Sequence, residues 1–250
     1  MPGEDTMSDV ASNNLLQSLR AGDRAHLEPH LAKESLEAGH VLYEPGDHVQ
    51  TVYFPCDGAV AGYYVQLPDG KGVETAMVGR EGAVGGIVSQ GRLPSFARCS
   101  VQARGPFLTL RSEVLDDLKD KHPAIEHLFA RYADCLMAQV FQSTACNAGH
   151  SINQRAAKWI IATIERSGDT VIRLSQDQLA EMLGIGRSYI CRVIAGLKRE
   201  RIIAVRWKQL EVLDLARMEA MACDCNEQVK DHFNRVLRGV YPDAADNELG

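Results

Sequence analysis

Ser175-Gln-Asp-Gln-Leu-Ala-Glu-Met-Leu-Gly-Ile-Gly-Arg-Ser-Tyr-Ile-Cys-Arg-Val-Ile-Ala-Gly-Leu197 decides how the rest of the chain is read. It describes two short helices joined by a tight turn. Ser175 with Gln178 three residues on is a capping box. Leu179, Met182 and Leu183 follow on one helical face. Gly184 stands where a helix ends in a left-handed residue, which glycine adopts freely. Gly186 is a second-rank N-cap for the next helix. Ile190, Val193, Ile194 and Leu197 form a stripe that must be buried. Arg187, Ser188, Tyr189 and Arg192 point away from it. In a helix-turn-helix those positions meet base edges in the major groove, where arginine can pair with guanine O6 and N7. They are the expected base-reading set. Ser175 and Gln176, at the start of the first helix, are expected at the DNA phosphates.

Charge agrees with this placement. The chain of 250 residues carries a net charge of −6. Residues 151–217 hold 12 Lys+Arg and 7 Asp+Glu, or +5, and the remaining residues hold 15 and 26, or −11. A basic module on an acidic body attracts phosphate locally and repels it elsewhere. No apolar run reaches the ~18 residues that a membrane span needs. The acidic, polar N-terminus has no secretory-signal pattern. Seven scattered cysteines suit a reducing compartment better than a disulfide framework. The expected location is the cytoplasm.

Upstream, residues 1–22 read as a flexible leader with a short helix, Asn14 to Leu19, and residues 23–31 as another. Short apolar runs from Leu36 to Leu110 are divided by turn signals at Glu44-Pro-Gly-Asp47, Cys56-Asp-Gly58, Pro68-Asp-Gly70, Gly79-Arg-Glu-Gly82 and Arg104-Gly-Pro106. Such spacing predicts an antiparallel jelly roll or barrel over residues 23–120. Pro123 opens a long helix. Ile125, Phe129, Tyr132, Leu136 and Val140 recur near coiled-coil spacing, so residues 121–150 are expected to pair two subunits and end in a hinge at Gly149–Ile152. Residues 151–217 complete a winged helix-turn-helix. Its wing turns at Arg206-Trp-Lys-Gln209, with Arg206 and Lys208 placed for phosphate. Residues 218–250 form a tail with one amphipathic helix, Asn226 to about Val240. The fold class is α+β.

That order, with Tyr43-Glu-Pro-Gly-Asp47, Val52-Tyr-Phe54, Gly58, Pro68-Asp-Gly-Lys71, Leu118, His122-Pro123, Arg155 and Gly184-Ile-Gly-Arg-Ser-Tyr-Ile-Cys-Arg192, resembles the bacterial Crp/Fnr family of transcription regulators. The resemblance spans about residues 23–217. It implies a homodimer on double-stranded DNA, RNA polymerase as a partner, and an effector on the barrel that reorients the DNA-binding domains. Relatives that read a TGTGA-type half-site carry glutamate where Ser188 stands, which implies a different operator here.

The effector is unidentified. In the cyclic-nucleotide binders of the family a Gly-Glu pair holds the ribose and an Arg-Ser or Arg-Thr pair the phosphate. Here the first stretch is Gly82-Ala-Val-Gly-Gly-Ile87, and the second falls near Ala97-Arg-Cys99, out of register and without the hydroxyl. This argues against a cyclic nucleotide and leaves Val84, Gly85, Gly86, Arg98 and Cys99 as the candidate pocket. Arg92 and Arg98 remain available to an anion. A constitutive regulator with a scaffold barrel is the competing reading. A cupin enzyme is a weaker rival, since His26, His30, His40 and His48 are dispersed and no His-x-His motif occurs.

Cysteines offer two further candidates. Cys146 and His150 are four apart, and Cys223-Asp-Cys225 lies in the tail; thiolate and imidazole suit zinc, copper or a cluster. This set carries a metal- or redox-responsive alternative. Cys191 stands beside Arg192, where a cation can lower a thiol's pKa.

Overall fold

Described in a computed structural model are residues 12–68, 72–87, 93–207 and 209–241. Among the described residues, seven strands form the N-terminal part, all pairing antiparallel. A three-stranded sheet has β1 (Ala32–Leu36), β7 (Gly105–Arg111) and β3 (Thr51–Pro55) side by side in that order. A four-stranded sheet runs β2 (Val41–Tyr43), β6 (Arg98–Ala103), β4 (Val60–Gln66) and β5 (Gly72–Val78).

Side-chain alternation explains why the β7 run Phe107-Leu-Thr-Leu110 is apolar almost throughout. Phe107 packs between the two sheets with Leu36, Tyr43, Val84, Cys99 and Val101. Leu108 and Leu110 point the other way, with Val52 and Phe54 of β3, into a second core covered by helices. A strand buried on both faces reads as a continuous hydrophobic run.

Those helices include α1 (Asn14–Gln17), α3 (Ser112–Lys121) and α4 (Pro123–Gly149), and a short α2 (Ala21–Arg24) without buried residues links α1 to the strands. The leader expected to reach residue 22 is in fact anchored from Asn13 onward. Leu15 and Leu16 are completely buried. The Asn13 amide donates to the carbonyls of Pro55 and Gly82 (2.9 and 3.0 Å) and its oxygen caps Leu16 N–H. Residues 1–11 and 242–250, and with them the leader's start and the tail's end, lie outside the described residues, as do Asp69–Lys71.

At ~1.5 Å per residue the 27 residues of α4 span roughly 40 Å. The residues of the expected seam turn mostly inward. Ile125, Phe129 and Tyr132 have no exposed surface within their own chain. Phe129 meets Phe54 edge-on at 6.2 Å, and Tyr132 does the same with Phe233 of the tail helix. Leu136 also packs against these inner cores. Of the five expected seam residues, Val140 alone is exposed, at 39%. A second stripe, one step round the helix, faces outward: Ala130, Met137, Val140, Phe141 and Thr144 are exposed and Ala133 is half-buried.

α5 (Ile152–Ser167) follows the break, with Ser151 and Gln154 forming a capping box and Gly168 closing the helix at φ +70°. Its Trp159 and Ile160 share a core with Val60 and Met77 of β4 and β5. The C-terminal module therefore packs directly on the strands. The Arg166 guanidinium meets the Glu81 carboxylate at 2.6 Å, and Trp159 Nε1 donates to Glu74 at 3.0 Å. After β8 (Val171–Ile172) come α6 (Gln176–Met182) and α7 (Arg187–Arg199), then the wing strands β9 (Ile203–Arg206) and β10 (Gln209–Val212).

A short α8 (Leu215–Met221) crosses the boundary expected at residue 217; Asp214 caps it through Arg217 N–H at 3.0 Å. The tail helix α9 (Cys225–Arg238) lies along α4, where Arg131 Nη1 donates to the Val236 carbonyl at 3.0 Å.

Candidate nucleic-acid interface

The two helices α6 and α7 are held by local devices. Ser175 Oγ accepts from Gln178 N–H (3.2 Å) while the Gln178 side chain accepts from Ser175 N–H (2.8 Å), so both halves of the box form. Gly184 has φ +67°, and a Cβ there would come 3.1 Å from a methyl of Val73. The turn thus favours glycine for its left-handed backbone, and the close approach to β5 leaves little room for a side chain. Gly186 caps α7 without a side chain. Ile190, Val193, Ile194 and Leu197 are buried together with Leu179 and Ile203, so one face of α7 is fixed inside the module.

The opposite face is open. Arg187, Ser188, Tyr189 and Arg192 are all exposed, from adjoining positions near the N-terminus of α7. Arg187 Nε pairs with Asp177 of α6 at 3.1 Å, both side chains more than half exposed. Such a surface pair is weak and opens at little cost. The Arg192 guanidinium lies over the Tyr189 ring, 4.8 Å from its centroid. Such a cation–π contact engages the face of the guanidinium and leaves its N–H donors at the edge. Ser175 and Gln176 stand half-buried at the start of α6. Gln176 accepts from Cys191 Sγ at 3.1 Å, so this thiol bridges the two helices. At the wing tip Arg206 is exposed and Trp207 is 90% exposed. Lys208 lies outside the described residues, as does Arg92.

Two of the expected effector residues lie inside the barrel core. Val84 and Cys99 are completely buried in the core between the sheets, and burial holds the Cys99 thiol far above its ordinary range. Backbone groups in the 83–85 stretch are already engaged. Ala83 N–H donates to the Tyr132 hydroxyl and Ala83 C=O accepts from it, both at 2.9 Å. Gly85 N–H donates to the Tyr63 hydroxyl at 3.1 Å. A Cβ at Gly85 would fall 2.5 Å from the Thr51 carbonyl. Arg98 faces Glu44 at 3.5 Å. Tyrosine hydroxyls thus engage the Ala83 N–H and C=O and the Gly85 N–H, which sequence patterning did not reveal.

The metal-type residues, by contrast, converge. The ligand atoms of Cys146, His150, Cys223 and Cys225 lie within 4.8 Å of one another. Arg155 of α5 is buried beside them and its Nη2 donates to the Leu183 carbonyl at 2.7 Å, just before the turn glycine. Burial lowers its pKa, while the Cys146 and Cys223 sulfurs act to raise it.

Residues 154–221 match the Crp-like helix-turn-helix domain family. Over most of the chain the structure resembles FixK2 from Bradyrhizobium japonicum, at 14% identity and TM-score 0.63, covering 77% of this chain and 98% of that one. It resembles a CRP-family transcriptional regulator from Thermus thermophilus, at 20% identity and TM-score 0.62, covering 75% and 95%. The c-di-GMP-responsive global regulator CLP of Xanthomonas campestris aligns at 17% identity and TM-score 0.58, covering 77% and 99%. At such identities the likeness is one of fold. No curated protein matches the sequence. No helix among the described residues is long and apolar enough to cross a membrane.

Proposed function

We propose that this chain is a DNA-binding transcription regulator of the Crp/Fnr type that reads a two-fold symmetric operator as a homodimer; its Crp-like helix-turn-helix domain and its fold support the reading. The family is one of regulators rather than enzymes. One observation carries the reading: α7 buries Ile190, Val193, Ile194 and Leu197 and leaves Arg187, Ser188, Tyr189 and Arg192 exposed on the other face. Arg187 and Arg192 supply guanidinium groups to bases, with Ser188 and Tyr189 between them. Ser175, Gln176, Arg206 and Lys208 set affinity and register through phosphates. DNA as the partner places the protein in the cytoplasm of a bacterial cell.

The dimer forms along the outward stripe of α4. Met137 is 49% exposed, Val140 39% and Phe141 65%. Apolar residues at three- and four-residue intervals on an exposed helix face bury themselves best against a copy of the same helix. Ala130 and Ala133 allow close approach at one end of the seam. Pairing through a two-fold axis gives two recognition helices and half-sites about one turn of DNA apart, ~34 Å.

A second reading concerns the barrel. With Tyr63 and Tyr132 on the backbone groups of residues 83–85, the barrel serves as an effector-independent scaffold rather than a nucleotide receptor. Selection of bound duplexes from a random pool tests the main proposal. A symmetric consensus with half-sites one helical turn apart is expected; enrichment of no sequence, or of a single unrepeated half-site, overturns it. Addition of cyclic nucleotides is expected to leave the affinity unchanged.

A further inference from the structure

We propose that Cys146, His150, Cys223 and Cys225 form a closed tetrahedral site for one Zn²⁺ ion, which clamps the C-terminal tail to the end of α4 beside the hinge. The residues come from two distant parts of the chain. Cys146 lies in the last turn of α4, and His150 follows it by four residues. The helix ends at Gly149, but His150 N–H still donates to the Cys146 carbonyl at 3.1 Å, so the turn persists and both side chains share a face. Cys223 and Cys225 flank the start of α9.

The distances match one ion. Zinc bonds of ~2.3 Å to sulfur and ~2.0–2.1 Å to nitrogen give tetrahedral edges of ~3.8 Å between two sulfurs and ~3.6 Å between sulfur and nitrogen. Cys146 Sγ and Cys223 Sγ are 3.6 Å apart, and Cys225 Sγ is 3.5 Å from His150 Nδ1. The first separation is far too long for a disulfide bond, whose sulfurs lie ~2.05 Å apart. A multi-iron cluster places irons and sulfides between its thiolates and so spreads them, whereas all four ligand atoms here lie within 4.8 Å of one another. Three thiolates and one neutral imidazole are a donor set that favours zinc.

The surroundings suit such a centre. All three cysteines are buried, at 1, 8 and 3% exposure. Gln142 Nε2 donates to Cys225 Sγ at 3.2 Å, the kind of outer contact that orients a metal ligand. Three thiolates on a divalent ion leave one net negative charge, and the buried Arg155 guanidinium lies beside it. Four protein ligands fill the tetrahedron and leave no open position, which marks a site that holds structure rather than one that activates water. On binding, the thiols release their protons to solvent and the ion loses its waters. The clamp joins α4, α9 and, through Arg155 and the Leu183 carbonyl, the end of α6. Its occupancy thus bears on how the recognition module is held.

The test uses the full chain, purified anaerobically without chelator or metal-affinity resin, with zinc measured by mass spectrometry of the elements. One zinc per chain is expected, falling to trace levels in Cys223→Ser and Cys225→Ser. His150→Ala, at a half-exposed helix end, keeps the fold and is expected to lose zinc to a chelator at least tenfold faster. Co²⁺ added to the metal-free wild type is expected to give the absorption of a tetrahedral thiolate complex, absent in Cys225→Ser. Wild-type protein that takes up neither Zn²⁺ nor Co²⁺ stoichiometrically overturns the proposal. So does zinc retained in both cysteine variants, iron with acid-labile sulfide in place of zinc, or a Cys146–Cys223 disulfide in the fresh protein. None of these readouts involves DNA, so the site and the operator reading fail separately.

Discussion

Replacing Phe141 by aspartate separates the two apolar faces of α4. Phe141 is 65% exposed in the single chain. A phenylalanine side chain offers roughly 200 Å², so ~130 Å² remains for a partner to cover. At about 25 cal/mol per Å² that is ~3 kcal/mol for each subunit. A two-fold interface loses the contribution twice, giving at most ~6 kcal/mol, or up to ~10⁴ in the dimer dissociation constant. The figure is an upper bound, because association also costs freedom of motion. Sedimentation of Phe141→Asp over nanomolar to micromolar concentrations measures the constant directly. Phe129→Ala is the companion variant. Phe129 has no exposed surface, so its loss is expected to cost ~3–5 kcal/mol of folding stability. It acts in the denaturant midpoint, Phe141→Asp in the association constant. A Phe141→Asp protein that dimerises as tightly as the wild type refutes the outward seam.

Two further variants probe how the DNA-binding module is held. Ser175→Ala removes the oxygen that accepts from Gln178 N–H, and a loss of ~1 kcal/mol in urea denaturation is expected; no measurable loss removes the cap from the account. Glu74 sits where β5 meets Trp159, and its carboxyl is pushed up to about 7, chiefly by burial, against hydrogen bonds from Trp159 and Gln102 that pull it down. A folded-state pKa raised above the ordinary 4.5 means that the neutral acid is favoured in the native protein. Its contribution is therefore complete below about pH 4.5 and is lost as pH rises through about 7. The thermal midpoint of the wild type is expected to fall relative to that of Glu74→Gln across that window, and parallel pH profiles contradict the assignment.

Local chemistry was the legible part of this chain. Ser175, Gln178 and Gly184 act over a few residues, so their pattern alone placed the two helices and the turn. The strand runs behaved likewise, because turn residues such as Gly46 and Gly58, at φ +92° and +78°, mark their ends. What an apolar face touches was the part that local pattern does not carry. α4 carries two such faces, and Ile125, Phe129 and Tyr132 gave the stronger pattern because they fill the molecule's own core. A helix face records that something covers it, not what. The same limit hid the tyrosines behind Gly85 and left the partner of α9 open. Cys146, His150, Cys223 and Cys225 were readable as a candidate set by residue type and spacing, but whether the two pairs meet depends on how α9 docks. α8 was missed although Asp214 three residues before Arg217 is a readable cap signal.

The central claim is that exposed arginines of α7 read bases rather than merely attract phosphate. The most direct measurement is the ratio of dissociation constants, on the selected operator and on random duplex at one salt concentration, for wild type and Arg192→Ala. A loss of ~1–3 kcal/mol on the operator with little change on random DNA is predicted. Equal losses on both duplexes contradict it.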